Sequence, residues 1–160
     1  MSIDNDIRQG LALLPPQMRT RPARVLLHAI NLQENPKRLE QQVNGPARGD
    51  YQFEKGGGVV GVVTHGSVKA RTQEVCRARG VGFSAESIYQ AIGRDPVLAA
   101  ALARLLLWTD PKPLPSAEDE HGAWELYLRV WRPGAHTRQP EELRAKFKRN
   151  HAAALKAVPA

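Results

Sequence analysis

The run from Val97 to Trp108, VLAAALARLLLW, is apolar on nearly every face of a helix, with Arg104 its one charge. A surface helix has an apolar stripe and a polar back, whereas a helix apolar all round must be wrapped by other elements. Asp95 supplies an N-cap and Pro96 a first-turn proline, so the spacing predicts a central helix starting there. The run is broken by Arg104 and is shorter than the roughly 20 apolar residues that span a bilayer, so it is expected to be a core element of a soluble chain without a membrane span.

What surrounds it also reads as helix. From Thr20 to Gln33, Pro22 fits a first turn, and Val25, Leu26, Ala29, Ile30 and Gln33 recur at three- and four-residue spacing, with Glu34 at the C-terminal end. Ser67 is the expected cap of a helix running to Arg79 and stopped by Gly80; Ser84 opens another that ends at Gly93. Pro111, Pro113 and Pro115 make Thr109–Ser116 a rigid connector. His121–Trp131 reads as a short helix with Trp124, Leu128 and Trp131 along one side, and Pro140 starts a last helix running towards Val158. Only Val59–Thr64, rich in β-branched residues, suggests a short strand. The expected fold is all-α: one domain over 1–160 with seven to nine helices, a core at about 20–134, an N-terminal helix within 1–16 and a basic C-terminal helix at 140–158.

With 160 residues, 42% of them hydrophobic, the chain can bury a core without metal or disulfide staples, and Cys76 has no partner within it. A formal charge of +7 and a pI near 10.0 point to a polyanionic partner, for which nucleic acid, phospholipid headgroups and the bacterial cell wall all qualify. Met1–Gly10 lacks the basic start and apolar stretch of a secretory signal, so synthesis in a reducing cytoplasm is expected.

The irregular segment between Gln33 and Ser67 is where chemistry is expected. Its glycines, Gly56–Gly58, do not make a phosphate loop, because Lys55 precedes them and no Gly-Lys-Ser/Thr follows; they fit a close approach of backbone to a helix or ligand. The five histidines lack ligand spacing, so no metal or cofactor is expected. No Gly-x-Ser-x-Gly is present, and Cys76 in its Arg-rich helix reads as structural. Glu34 is the better lead: a carboxyl at the end of a core helix can face a cleft, lose solvation and hold a proton near neutrality as a general acid.

Ile30-Asn31-Leu32-Gln33-Glu34-Asn35, followed by Gly45-Pro46-Ala47-Arg48-Gly49-Asp50-Tyr51-Gln52-Phe53-Glu54, resembles the lysozyme-like lytic transglycosylases and goose-type lysozymes. There a helix ends in a Gln-Glu-Ser style motif with the catalytic glutamate, and a Gly-Leu-Met-Gln style loop follows. The chain is most similar to phage proteins of this superfamily, which share the Gly-Pro-Ala-Arg-Gly loop and glycine run and the stretches seen here at Leu105–Pro111 and Trp131–Gly134. The resemblance covers about Val25 to Gly134. It implies a lysozyme-like helical domain with a Gly-rich active-site loop, Glu34 as catalytic acid, Glu54 as a second acidic group that positions water, and Gln52 lining the sugar cleft. Arg48, Tyr51 and Trp108 join Gln52 as candidate substrate-binding residues. Two departures stand out: Asn35 replaces the usual Ser, and no Ala-Tyr-Asn-Ala-Gly style motif supplies the tyrosine expected opposite the glutamate, a region to which Trp108 or Thr109 is nearest in chain order.

The implied activity is cleavage of the β-1,4 bond between N-acetylmuramic acid and N-acetylglucosamine in peptidoglycan strands, by hydrolysis or with an anhydro product. The setting it implies is a phage lysis or virion-associated enzyme acting at the periplasm or cell wall, with other virion proteins as further partners. A rival reading rests on the C-terminal helix, whose Arg144, Lys146, Lys148 and Arg149 suit a non-catalytic virion component that binds DNA or other virion subunits. A purely structural helical subunit is the third.

Overall fold

The computed structural model describes residues 2–160; Met1, the first residue of the expected N-terminal segment, lies outside them. Among the described residues there are nine α-helices and no strands: α1 Ile3–Ala12, α2 Arg21–Glu34, α3 Val60–Thr64, α4 Lys69–Arg79, α5 Ala85–Ile92, α6 Pro96–Trp108, α7 Glu120–Trp131, α8 Ala135–Arg138 and α9 Pro140–Ala157. A single 3₁₀ turn at Pro16–Met18 precedes α2, and a π turn at Lys55–Val59 precedes α3. None of these helices is long and apolar enough to cross a membrane.

Helix α6 is the axle of the fold. Asp95 caps it by accepting from the Leu98 amide at 3.0 Å, and Arg79 at the end of α4 grips the same carboxylate at 2.9 and 3.0 Å. Every residue from Val97 to Leu105 is buried, and α1, α2, α3, α4, α5 and α7 all pack on it. The approach of α1 is close because Gly10 lies over it: a β-carbon there would come within 2.8 Å of the Ala100 Cβ and the Val97 carbonyl. One apolar cluster runs from Ile7 and Leu11 through α6 to Phe147, so the core extends at both ends beyond 20–134. A smaller cluster of Val25, Ala29, Ala154 and Val158 seals α9 against α2. On α9, Phe147, His151 and Ala154 are buried, while Arg144 is spent on Glu120 and on the Trp124 ring.

Two local expectations are corrected. Val59–Thr64 is not a strand; Val59 and Val62, three residues apart, both enter the core from consecutive turns of helix, and this burial outweighs β-propensity. Ser67 is not a cap either. Its hydroxyl lies 2.8 Å from His65 Nδ1, and Val68 opens α4 without a side-chain cap.

The segment that links α2 to the π turn has almost no regular structure, so its shape depends on side chains. Asn31 donates to the carbonyls of Asn35 and Asp50, both at 3.1 Å. Asn35 donates to the carbonyls of Leu39 and Gly49 at 2.8 and 2.9 Å and accepts from the Leu39 amide. Arg38 forks onto Asp50 at 3.0 and 2.7 Å and reaches Asp6 of α1 at 2.5 Å. Asp6 and Asp50 are both buried, so this one guanidinium is the shared cation of two carboxylates largely withdrawn from water. Gly49 sits at φ +78 with the Ile92 carbonyl 2.8 Å from where a β-carbon would be, which leaves room only for glycine.

Replacing Arg38 with Met should therefore destabilise the fold by about 3–5 kcal/mol in urea unfolding, because two buried carboxylates lose their cation. Arg38→Lys, which keeps the charge without the fork, should fall between the two.

Candidate active site

Glu34 closes α2, whose last turn is fixed by Asn31 and Asn35 on one side and by α9 on the other. From α9, Lys146 Nζ donates to the Gln33 carbonyl at 3.1 Å and Asn150 donates to Gln33 Oε1 at 2.8 Å. The Glu34 carboxyl is partly buried and accepts a 2.9 Å hydrogen bond from the Tyr127 hydroxyl of α7. Tyr127 is itself locked in place, stacked on Phe147 with ring centroids 5.2 Å apart and flanked by Trp124 at 6.1 Å.

Burial pushes the Glu34 pKa up to about 7. The Tyr127 hydrogen bond and the Lys146 charge pull against that shift, while the nearby Glu54 carboxylate adds to it. Glu34 is thus an acid that exchanges its proton near neutrality. The Tyr127 phenol is pushed well above its ordinary range by burial and by the Glu34 charge, so it stays a hydrogen-bond donor.

No family model, no curated protein and no solved structure matches this chain. The site is therefore read from its own geometry.

Glu54, whose charge acts on Glu34, lines a cleft of about 480 Å³ together with Gln52, Gly56, Gly57, Leu106, Trp131 and Arg132. The π turn builds the first wall: the Val59 amide reaches back to the Glu54 carbonyl at 3.3 Å, a wide turn of the kind that often marks functional sites. Gly58 and Gly61 sit under Phe53 and Leu106, whereas Gly56 has open space where a side chain would be. All four glycines line the cleft, and at Gly58 and Gly61 they also let Phe53 or Leu106 come close. Gln52 at φ +54 and Arg132 at φ +47 both adopt the left-handed region, which costs each about 1–2 kcal/mol and places strain at the cleft mouth. Gln52 is held there by its amide, which donates to the Gly49 carbonyl at 3.0 Å.

The connection between Glu34 and the cleft is α7. Tyr127 and Trp131 are four residues apart and share one helix face. The first holds Glu34; the second lines the cleft, anchors the Tyr51 carbonyl through its indole N–H at 2.9 Å and meets Phe53 edge-on. Glu34 itself is not in the cleft wall and touches the cleft chemistry through Tyr127 and through the field of Glu54.

Of the residues singled out from the sequence, Gln52 and Glu54 line this cleft and Glu34 adjoins it. Three others do not join them. Tyr51 is fully buried, with its hydroxyl lacking a partner, and is a core residue. Arg48 is turned towards α5, where its guanidinium covers the Tyr89 ring at 4.1 Å and donates to the Tyr89 carbonyl and Gln90. Trp108 lines a different pocket with Arg104. Asn35, where the resemblance leads one to expect Ser, bonds the loop backbone. Tyr127 and Trp131 are the residues sequence reasoning missed as site members. Their spacing on the helix expected at His121–Trp131 was the available signal, but the Tyr127–Glu34 contact spans 93 residues of chain.

Tyr127→Phe should raise the Glu34 pKa above about 7 and Glu54→Gln should lower it, as read by ¹³C NMR titration of the glutamate side chains. The folded value lies above the ordinary 4.5, so the stability tied to protonated Glu34 is complete below about 4.5 and is lost as pH rises through about 7. Glu34→Gln should flatten the pH–stability curve in that window.

Proposed function

We propose that this protein cleaves peptidoglycan glycan strands at the β-1,4 bond between N-acetylmuramic acid and N-acetylglucosamine, with Glu34 as the general acid and base. The observation that carries this reading is a partly buried carboxyl, hydrogen-bonded to Tyr127 and protonated near neutrality, beside a cleft that holds a second carboxylate at Glu54. Glycoside cleavage asks for such a group: an acid whose raised pKa lets it protonate the leaving oxygen while positive charge develops on the sugar ring. The departures from the family's wording weigh less than they do on paper, since Tyr127 stands against the glutamate without the expected motif.

Glu34 gives its proton to the glycosidic oxygen as the C1–O bond breaks. Two endings follow from the same start. In one, the Glu34 carboxylate takes the proton of the muramic acid 6-hydroxyl, whose oxygen closes on C1 to leave an anhydro sugar. In the other, a water held by Glu54 adds to C1 as it gives up a proton to the Glu54 carboxylate, and leaves a reducing end. Trp131, with Phe53 behind it, offers the apolar face on which a sugar ring can stack.

The positive charge fits an anionic cell wall. The rival reading of α9 as a DNA-binding face is weakened by its own side chains: Arg144 is paired with Glu120 and Lys146 is tied to Gln33, which leaves Lys148 and Arg149 exposed. The protein would reach that wall when delivered by a phage particle or released at lysis.

Purified protein should release muropeptides from isolated peptidoglycan, and Glu34→Gln should lower turnover by at least about 100-fold, the usual contribution of a positioned acid. Mass spectrometry separates the endings: anhydro products that survive Glu54→Gln indicate the first, and reducing ends lost with Glu54 indicate the second. Turnover unaffected by Glu34→Gln, or absent from the unsubstituted protein, overturns the assignment.

A further inference from the structure

Arg104 is a cation without a counter-ion in the middle of the core helix. It is 2% exposed, the largest fully buried side chain in the protein. Its Nε donates to the Met18 carbonyl at 2.9 Å, but its Nη1 is buried and has no partner. Burial alone pulls its pKa down to about 10, and no carboxylate opposes that shift. The contrast with Arg38, which serves two carboxylates, is complete.

The guanidinium borders a pocket of about 390 Å³ at the C-terminal end of α6, outside the cleft beside Glu34. Trp108, one turn further on, lines the same pocket and lies with its ring centroid 5.4 Å from the guanidinium. Leu107, Pro111 and Pro113 complete apolar walls, and the proline-rich connector keeps them rigid. The other charged groups facing the pocket are Asp110 and Lys112. Asp110 is not available to Arg104: both of its oxygens are taken by Arg129, at 2.9 and 3.1 Å, and one also accepts from the Lys112 amide. The Lys112 ammonium therefore adds to a local excess of positive charge.

A buried charge with no partner is costly, and the cost is recovered when an anion arrives with matching geometry. A compact, strongly hydrated anion would gain nothing from the indole and proline walls, whereas an anion with an apolar body would fill them. We propose that this pocket binds an organic carboxylate, either a small free acid or the C-terminal carboxylate of a peptide, with the anion received by Arg104 and Lys112 and the apolar part covered by Trp108 and the prolines. This site is independent of the role given to Glu34.

The test is an NMR titration of the full chain followed at the Trp108 indole N–H. The probes are isobutyrate for the free acid, N-acetyl-alanyl-alanine for the peptide end, the amide of that dipeptide, and inorganic phosphate. Saturable shifts at Trp108 with either carboxylate, and at least tenfold weaker binding of the amide and of phosphate, are expected. The stronger of the two carboxylates identifies the source. Arg104→Met should weaken binding by at least tenfold, and Lys112→Glu, on the exposed connector, should weaken it severalfold without touching the core. Should Arg104→Met fail to fold, Lys112→Glu and the amide comparison carry the same decision. Equal binding of carboxylate and amide, binding unchanged in the variants, or no saturable shift at millimolar carboxylate overturns the proposal.

Discussion

The Arg38 guanidinium holds the irregular segment between α2 and the π turn in shape. The segment from Asn35 to Glu54 carries only two isolated backbone bridges, Gln41 with Arg48 and Arg48 with Phe53, and so cannot rely on helix or sheet ladders for its form. Its order comes from Arg38 clasping Asp50 and Asp6, with Asn31 and Asn35 spanning loop carbonyls from the end of α2. Because Asp6 belongs to α1, the same contact joins the first helix, the end of the second and the loop. Gln52 and Glu54 are placed relative to Glu34 only as well as this clamp holds. Arg38 adopts φ +56, a strained backbone for an arginine, and the ionic contacts made from that conformation offset the strain.

A carboxyl that titrates near neutrality, as Glu34 does, is a liability in a fold, because the burial that raises its pKa penalises the ionised form. Tyr127 from α7 and Lys146 from α9 limit the damage, while the Glu54 carboxylate ahead of the π turn adds to it. Two of these lower the Glu34 pKa and one raises it, and the balance leaves it at about 7. Tyr127 has little freedom to do otherwise, since the Trp124–Tyr127–Phe147 aromatic group that orients it is also the contact between α7 and α9. Packing and proton chemistry thus share the same side chains.

Several helix starts were legible from a cap or a first-turn proline, at Thr20 with Pro22, Ser84, Asp95 with Pro96, and Pro140, whereas the Ser2 cap of α1 and the Asp119 cap of α7 were not read. The apolar run of α6 announced its own centrality. Legibility failed where a tertiary contact overrides a local preference. Val59 and Val62 were drawn into helical turns by core burial, and Ser67 found His65 in place of a helix amide. Within the site, Glu34, Gln52 and Glu54 could be read because a motif carries them in one stretch. Tyr51 could not be told from a cleft aromatic, since alternation of exposed and buried residues in an irregular loop has no period to read. Tyr127 and Trp131 belong to a distant helix, and only the folded chain brings them to Glu34.

Two arginines, Arg38 half-buried and Arg104 buried, show how differently the same residue is used. Arg38 lies between two carboxylates and stabilises the loop; removing the arginine would leave both acids without their cation. Arg104 sits in the most apolar helix of the protein with one carbonyl as its recorded acceptor, an arrangement that hydrophobic packing alone would not favour, since a methionine or leucine there would bury more apolar surface without a desolvation cost. Its carbon stem does pack along α6, yet stem packing needs no guanidinium. Retaining the charge makes physical sense if the charge is met by something outside the fold. The pocket it borders, with Trp108 left 38% exposed on the far side, is open to receive it.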